Sequence, residues 1–207
     1  MPGQRFTGLT GVGSSAVRRP SERRRMLLSG GLLRMYSLGV LIVGDSGIGK
    51  SESALELIAR GHRFISDDTV VVRRLGGGRL AGSPPELGRH FMEVRGLGII
   101  NIKAIFGRKA ILERSSIDLV IALRQWSKRQ SSDRLGLKAP QTRTILGVRL
   151  PQIGLHMAPG RNIATLIEVA CQVHLLRIKG YHAPREMVGR LHRVLAEGRG
   201  PGGGSRA

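Results

Sequence analysis

Aromatic side chains are scarce in this chain, with one Trp, two Tyr and four Phe among 207 residues. Stacking platforms for single-stranded nucleic acid are correspondingly few. The single cysteine, Cys171, excludes an intramolecular disulfide framework and suits a reducing cytoplasm. It falls in a predicted amphipathic helix, where a small buried thiol is its ordinary role. Long apolar runs are missing too. Residues 26–43 are broken by Gly30, Gly31, Arg34 and Gly39, so neither a spanning helix nor a secretory signal is expected. Acids are few, 14 against 34 Lys and Arg, for a net charge of +20. Such a charge can neutralise nucleic-acid phosphates. The basic residues are spread along the chain, however, and a compositionally biased genome explains them with fewer assumptions. No membrane or nucleic-acid partner is expected.

Glycine is what the chain has in excess, 30 residues, about twice average usage. Residues 1–28, with Arg18, Arg19, Arg23, Arg24 and Arg25, read as a disordered basic extension, and residues 198–207 as a low-complexity tail. Residues 29–197 between them carry no obvious linker or repeat and read as one domain. Strands are expected at 32–36, 38–43, 63–66 and 69–73, with a Gly76-Gly77-Gly78 turn leading into 79–81. Further strands are expected at 110–112, 117–123, 143–150 and 153–157, the last two bracketing Pro151. Residues 92–101 read as a shaped loop because Gly96 and Gly98 interrupt their apolar pieces. Helices are predicted over 50–60, ended by Gly61, over 161–179, ended by Gly180, and from Pro184 to about 196. Many strands and few helices imply an α/β domain with a mixed sheet.

The chemistry concentrates in LIVGDSGIGKSE, residues 41–52. An apolar strand delivers a Gly-x-x-x-x-Gly-Lys-Ser loop, and a helix-forming run follows at once. That order of strand, glycine-rich loop and helix N-terminus is what a triphosphate site needs. Gly44 and Gly49 let the backbone curl so that successive N–H groups aim at phosphate oxygens. Lys50 brings a point charge for the β/γ-phosphates and Ser51 a hydroxyl for Mg²⁺. Asp67-Asp68 ends a strand 17 residues past Lys50. Adjacent carboxylates there point in different directions, so one can serve Mg²⁺ while the other faces the reacting group. Glu93 and Arg95, within MEVRGLGIIN, complete the set of candidate charged residues.

GDSGIGKSESALELIARGHRFISDD, HFMEVRGLGIINIKAIFG, DRLG and ILGVRLPQIGLHMAPGRN together resemble the catalytic domain of HPr kinase/phosphorylase. The likeness covers residues 32–184, and MEVRGLGIIN is the family's signature segment rather than a general nucleotide motif. The resemblance implies a P-loop (Walker A) domain similar to the nucleotide-binding core of phosphoenolpyruvate carboxykinase. It implies ATP- and Mg²⁺-dependent phosphorylation of a serine of HPr, the phosphocarrier of the bacterial sugar phosphotransferase system. It also implies reverse phosphorolysis, with inorganic phosphate as acceptor and pyrophosphate as product, regulation of carbon metabolism, a cytoplasmic location, and a homo-oligomer, commonly a hexamer. Gly44, Asp45, Ser46, Gly47, Ile48, Gly49, Lys50 and Ser51 would surround the nucleotide phosphates, with Ser51 and Glu93 on the metal. Asp68 matches the general base, with Asp67 beside it, and Arg134 of DRLG an active-site arginine. Arg95 lies in the signature loop. Pro159, Gly160, Arg161 and Asn162 match the loop associated with dephosphorylation.

Three positions depart from the family pattern. Ser29 stands where members usually carry the histidine of a His-Gly pair, and a hydroxyl does not replace imidazole in proton transfer near neutral pH. Arg34 occupies a position that is often acidic, and Ala158 replaces the arginine that opens the RPGRN loop. The N-terminal regulatory domain of full-length members is expected to be absent. Two other readings stay open: a nucleotide-binding regulatory module that does not turn over, and a related kinase with a substrate other than HPr.

Overall fold

The computed structural model describes residues 25–125, 141–158 and 160–197. Its centre is strand β3, Leu38–Val43, whose six residues are all buried. An apolar run without a charge suits a strand covered on both faces. Its neighbours are β2, Gly31–Met35, antiparallel, and β10, Leu119–Gln125, parallel. Outside β2 lies β4, Arg63–Ser66, antiparallel. Outside β10 lies β12, Val148–Met157, parallel, followed by β11, Gln141–Ile145, antiparallel. The six-stranded sheet is therefore mixed, in the order β11-β12-β10-β3-β2-β4.

The period-two alternation of β3 divides the core. Val40 and Ile42 face helices α1, Lys50–Ala59, and α3, Ile163–Ile178. Leu41 and Val43 face a second, antiparallel sheet. That sheet runs β1, Arg25–Ser29; β5, Thr69–Arg74; β6, Leu80–Ser83; and β9, Ser115–Ser116. Beside these layers are the hairpin of β7, Phe91–Val94, with β8, Gly98–Asn101, the short helix α2, Ile102–Phe106, and helix α4, Ala183–Glu197.

Four expectations are revised. Residues 25–28, assigned from sequence to the extension, belong to β1, an edge strand that buries only Leu28 and so shows little apolar pattern. The MEVRGLGIIN segment is a regular hairpin rather than a shaped loop: Gly96, at φ 87, and Gly98 turn the chain instead of interrupting it. Residues 110–112 form no strand, only an isolated bridge of Ile111 to Phe64 after a 3₁₀ turn. Pro151 does not divide two strands. Pairing with β10 begins at Gln152, so β12 runs through the proline at a place where β10 needs no N–H donor.

Arg34 has a structural role. Its guanidinium donates to Ser115 and Ser116 Oγ at 3.3 and 3.0 Å, and Ser116 Oγ donates to Asp118 Oδ2 at 2.7 Å. Asp118 Oδ2 also accepts the N–H of Gly39 at 2.7 Å. The strands come so close here that a Cβ on Gly39 would lie 1.6 Å from Ser116 O. We expect Gly39→Ala to lower stability by about 3–5 kcal/mol in urea denaturation, since rigid backbone on both sides must separate. A change under about 0.5 kcal/mol would mean that this contact is soft.

Candidate active site

Helix α1 begins in an unusual way. Helices α2 and α3 are capped by asparagine side chains: Asn101 Oδ1 accepts from Ala104 N at 3.0 Å, and Asn162 Oδ1 from Thr165 N at 2.8 Å. The N-cap of α1 is Gly49, at φ 95 and ψ 23, with no side chain to offer. The first N–H groups of α1 therefore have no side-chain cap, and with the helix dipole they favour an anion. Only glycine takes that left-handed conformation without steric penalty.

Lys50 lies in the first turn and is buried, its Nζ donating to Gly44 O at 3.0 Å and Asp45 O at 2.8 Å. Beside it, Ser51 Oγ donates to Asp67 Oδ2 at 2.9 Å. The other carboxylate oxygen, Asp67 Oδ1, is buried without a hydrogen-bond partner. Burial pushes the Asp67 carboxyl above the usual carboxylate range, against the Ser51 hydroxyl, a backbone N–H and the Lys50 charge, which pull it down. An orphaned hard oxygen next to a serine hydroxyl fits a divalent cation such as Mg²⁺. Among the described residues no three His, Cys, Asp or Glu cluster to form a protein-only metal cage. A cation here would draw its other ligands from phosphate and water, as Mg²⁺ usually does.

Asp68 is left-handed at φ 59, a rare state for a residue with a Cβ, and its carbonyl accepts Gly30 N at 2.8 Å. In an extended strand, neighbours 67 and 68 would face opposite sides. The left-handed residue breaks that alternation, and both carboxylates line one cleft of about 150 Å³. Residues 46, 47 and 49–51 form one wall of this cleft. On the other wall, β7 buries Met92 and Val94 and turns Glu93 outward. Arg95, at the hairpin turn, reaches across the loop: a Cβ on Gly47 would lie 3.2 Å from its Nη2.

The remaining predicted residues lie elsewhere. Ile48 is buried in the helix-side core. Gly44 and Asp45 line a neighbouring cleft of about 380 Å³ that also takes in Ser29, Arg124 and Arg143. Neither arginine was singled out from the sequence, where each is one of many. Gly160, Arg161 and Asn162 line neither cleft. Arg134 and Pro159 lie outside the described residues. Cys171 is buried, and burial followed by the Glu168 charge pushes its thiol up to about 12, which makes it inert.

The fold is an α/β domain with a mixed central sheet, and this cleft lies at the end of its central strand. Residues 22–191 match the model of the HPr Serine kinase C-terminal domain, and the chain belongs to that family. It is 47% identical over 170 residues to the HPr kinase/phosphorylase of Alkaliphilus metalliredigens, a match covering 82% of this chain and 55% of the relative. Against the HPr kinase/phosphorylase of Geobacter sulfurreducens it is 48% identical over 159 residues, covering 77% and 50%. The chain thus spans about half the length of the curated relatives it matches. Among solved structures it resembles the Hpr(Ser) kinase/phosphatase from Coxiella burnetii, with a TM-score of 0.70 at 32% identity, over 78% of this chain and 98% of that one. No helix among the described residues is long and apolar enough to cross a membrane.

The raised Asp67 pKa has a consequence for stability. An acid whose folded pKa exceeds its unfolded one binds more protons when folded, so stability falls as pH rises between the two values. In metal-free protein, Asp67→Asn should therefore melt above wild type at pH 7, and the gap should close as pH falls to about 4, near the unfolded carboxylate pKa. Thermal melts across that range check this. A gap that widens toward acid would contradict the assigned cause.

Proposed function

We propose that this domain phosphorylates a serine of the phosphocarrier HPr with ATP and Mg²⁺, and that the same site runs the reverse phosphorolysis with inorganic phosphate as acceptor and pyrophosphate as product. One observation carries the reading: an uncapped helix N-terminus, a buried lysine, a half-satisfied buried aspartate and three further acids, Glu52, Asp68 and Glu93, converge with Arg95 on one cleft. The names of the relatives support HPr as the partner. The strand–loop–helix order supports kinship with the nucleotide core of phosphoenolpyruvate carboxykinase.

In this reading the N–H groups of residues 46–51 and Lys50 Nζ hold the phosphates. The Lys50 bonds to Gly44 O and Asp45 O keep the ammonium in place before a ligand arrives. Ser51 Oγ, Asp67 Oδ1 and Glu93 hold Mg²⁺. The bound Mg²⁺·ATP supplies an electrophilic phosphoryl group. Asp68 accepts the proton of the serine hydroxyl in the forward direction and returns one to the serine oxygen in reverse. The guanidinium of Arg95, above Gly47, is placed to receive charge on the transferred group, and its planar fork suits that task. Arg134 serves the same charge, while Pro159, Gly160, Arg161 and Asn162 belong to the phosphorolysis half-reaction. Exposed Met187, Leu191, Val194 and Leu195 on α4 support assembly into a homo-oligomer, a hexamer by family resemblance. A cytoplasmic role in regulating carbon metabolism follows from the same substrate.

The test is transfer of label from γ-labelled ATP to HPr of the same organism. Asp68→Asn should lower the rate by about 100-fold or more while still binding nucleotide, and Lys50→Ala should lose nucleotide binding itself. Unimpaired transfer by Asp68→Asn would remove the base assignment. ATP binding by wild type without transfer to HPr would point to the regulatory module, or to another hydroxyl substrate.

A further inference from the structure

The layer between the two sheets changes character along its length. Ala122 of β10, Ile145 of β11 and Leu150 of β12 all belong to the core that faces the second sheet. Alternation along each strand puts Arg124, Arg143 and Gln152 on the same face. Strand β11 runs against the other two, so a residue before Ile145 and residues after Ala122 and Leu150 lie toward the same end. Apolar filling thus gives way to polar side chains at the mouth of the layer, and the cleft of about 380 Å³ opens there. Gly154 continues that face of β12 without a side chain, and Arg124 uses the space. A Cβ on Gly154 would lie 4.0 Å from Arg124 Nε, so the arginine leans back across β12.

The charge of this cleft favours an anion. Neither Arg124 nor Arg143 pairs with an acid among the described residues. Asp45 is the one acid in the lining, set against two guanidiniums. A guanidinium without a partner presents a planar fork of donors that matches carboxylate or phosphate. The cleft also lies at the C-terminal ends of the parallel strands β3 and β10, where open α/β sheets take their ligands.

Its other walls identify the anion. Gly44 and Asp45 open the phosphate loop, and residues 46, 47 and 49–51 of the same loop line the cation cleft, so the loop is a shared wall. Lys50 Nζ, bonded to Gly44 O and Asp45 O, stands at that wall. Ser29 lines the arginine cleft, and the next residue, Gly30, holds the Asp68 carbonyl through its N–H. An anion here sits beside the triphosphate site and near the residue proposed to exchange a proton with the serine oxygen. Ser29 stands where members of the family usually carry histidine, so a side chain able to bear positive charge is missing, and two guanidiniums share its cleft.

We infer that Arg124 and Arg143 bind the phosphate carried by the phosphorylated serine in the reverse reaction, supplying in this chain the positive charge that Ser29 does not. The assignment extends the proposed phosphorolysis and rests on it. In that reaction an oxygen of inorganic phosphate bonds to the seryl phosphorus, the serine P–O bond breaks, and the serine oxygen takes a proton from Asp68. The arginines hold the non-bridging oxygens of the seryl phosphate and form no covalent bond.

The full chain, as wild type and as Arg124→Gln/Arg143→Gln, is titrated separately with O-phosphoserine, inorganic phosphate and Mg²⁺·ATP. Phosphate affinities are read from ³¹P resonances and Mg²⁺·ATP affinity by calorimetry, while ¹⁵N-labelled wild type reports the arginine Nε–Hε signals. O-phosphoserine should shift the signals of Arg124 and Arg143, and the double variant should bind it about tenfold more weakly. Mg²⁺·ATP affinity should stay within about twofold, and inorganic phosphate, still held by the phosphate loop, should lose less than about threefold. A merely structural role would move none of the arginine signals. Unshifted signals, or a double variant that binds O-phosphoserine as well as wild type, would overturn the inference. A loss of inorganic phosphate as large as that of O-phosphoserine would assign the cleft to free phosphate and overturn the seryl assignment. Arg124→Gln alone, at an exposed strand end, should weaken O-phosphoserine about threefold and decides the case if the double variant does not fold. Should wild type fail to bind Mg²⁺·ATP, the nucleotide reading fails, and the O-phosphoserine titration still decides the arginine site.

Discussion

Ser51 and Asp67 meet at 2.9 Å, one in the first turn of a helix, the other just past the end of an edge strand. The contact satisfies one oxygen of a buried carboxylate and leaves the other without a partner. A protein selected for stability alone would satisfy both oxygens or replace the acid, because an unmet buried acceptor is unfavourable by about 1–3 kcal/mol. Much of the architecture serves to bring these two residues together. Strand β3 must deliver the loop of residues 44–49 that leads into α1, and β4 must lie one strand away, across β2, to bring Asp67 to the same corner. The left-handed backbone at Asp68 then lets a second carboxylate share that cleft.

The hydrogen bonds that Glu56 and Arg60, at the end of α1, make with Asn162, Thr165 and Glu168 are a second layer of the same design. The N-terminus of α1 is left uncapped, while its other end carries more polar contacts than a surface helix needs. Fixing the distal end of a short helix limits how far its first turn can move when charge approaches. Preorganised donors are what electrostatic stabilisation requires, since nothing then has to reorient during reaction.

Much of this was legible in the sequence. The charge-free run of β3 forecast a strand leading into the glycine-rich loop, and the glycine, lysine and serine spacing placed the start of α1 correctly. The pairing of Glu93 and Arg95 with the loop was legible through the family likeness, but their support was not. Gly96 and Gly98 looked like interruptions of a loop, because a hairpin turn and a break use the same residue. The shared cleft of Asp67 and Asp68 depends on one left-handed residue, for which an aspartate is only a weak local signal. Arg34 looked like a departure from the family pattern at an often acidic position, and its charge is absorbed by Ser115, Ser116 and Asp118, more than eighty positions away. Glu56 was invisible for the same reason: its partner lies 106 residues downstream. Local pattern reveals elements and their ends, whereas polar networks between elements depend on contacts that no spacing rule encodes.

The central claim is that the half-satisfied corner of Ser51 and Asp67 is built for a divalent cation carried by a triphosphate. The most direct measurement compares ATP affinity with and without Mg²⁺ by calorimetry, in wild type and in Ser51→Ala/Asp67→Asn. The account predicts that Mg²⁺ tightens ATP binding to wild type at least about tenfold and that this gain disappears in the double variant. Equal affinity with and without Mg²⁺ in wild type, or an undiminished Mg²⁺ effect after both oxygens are altered, would contradict it.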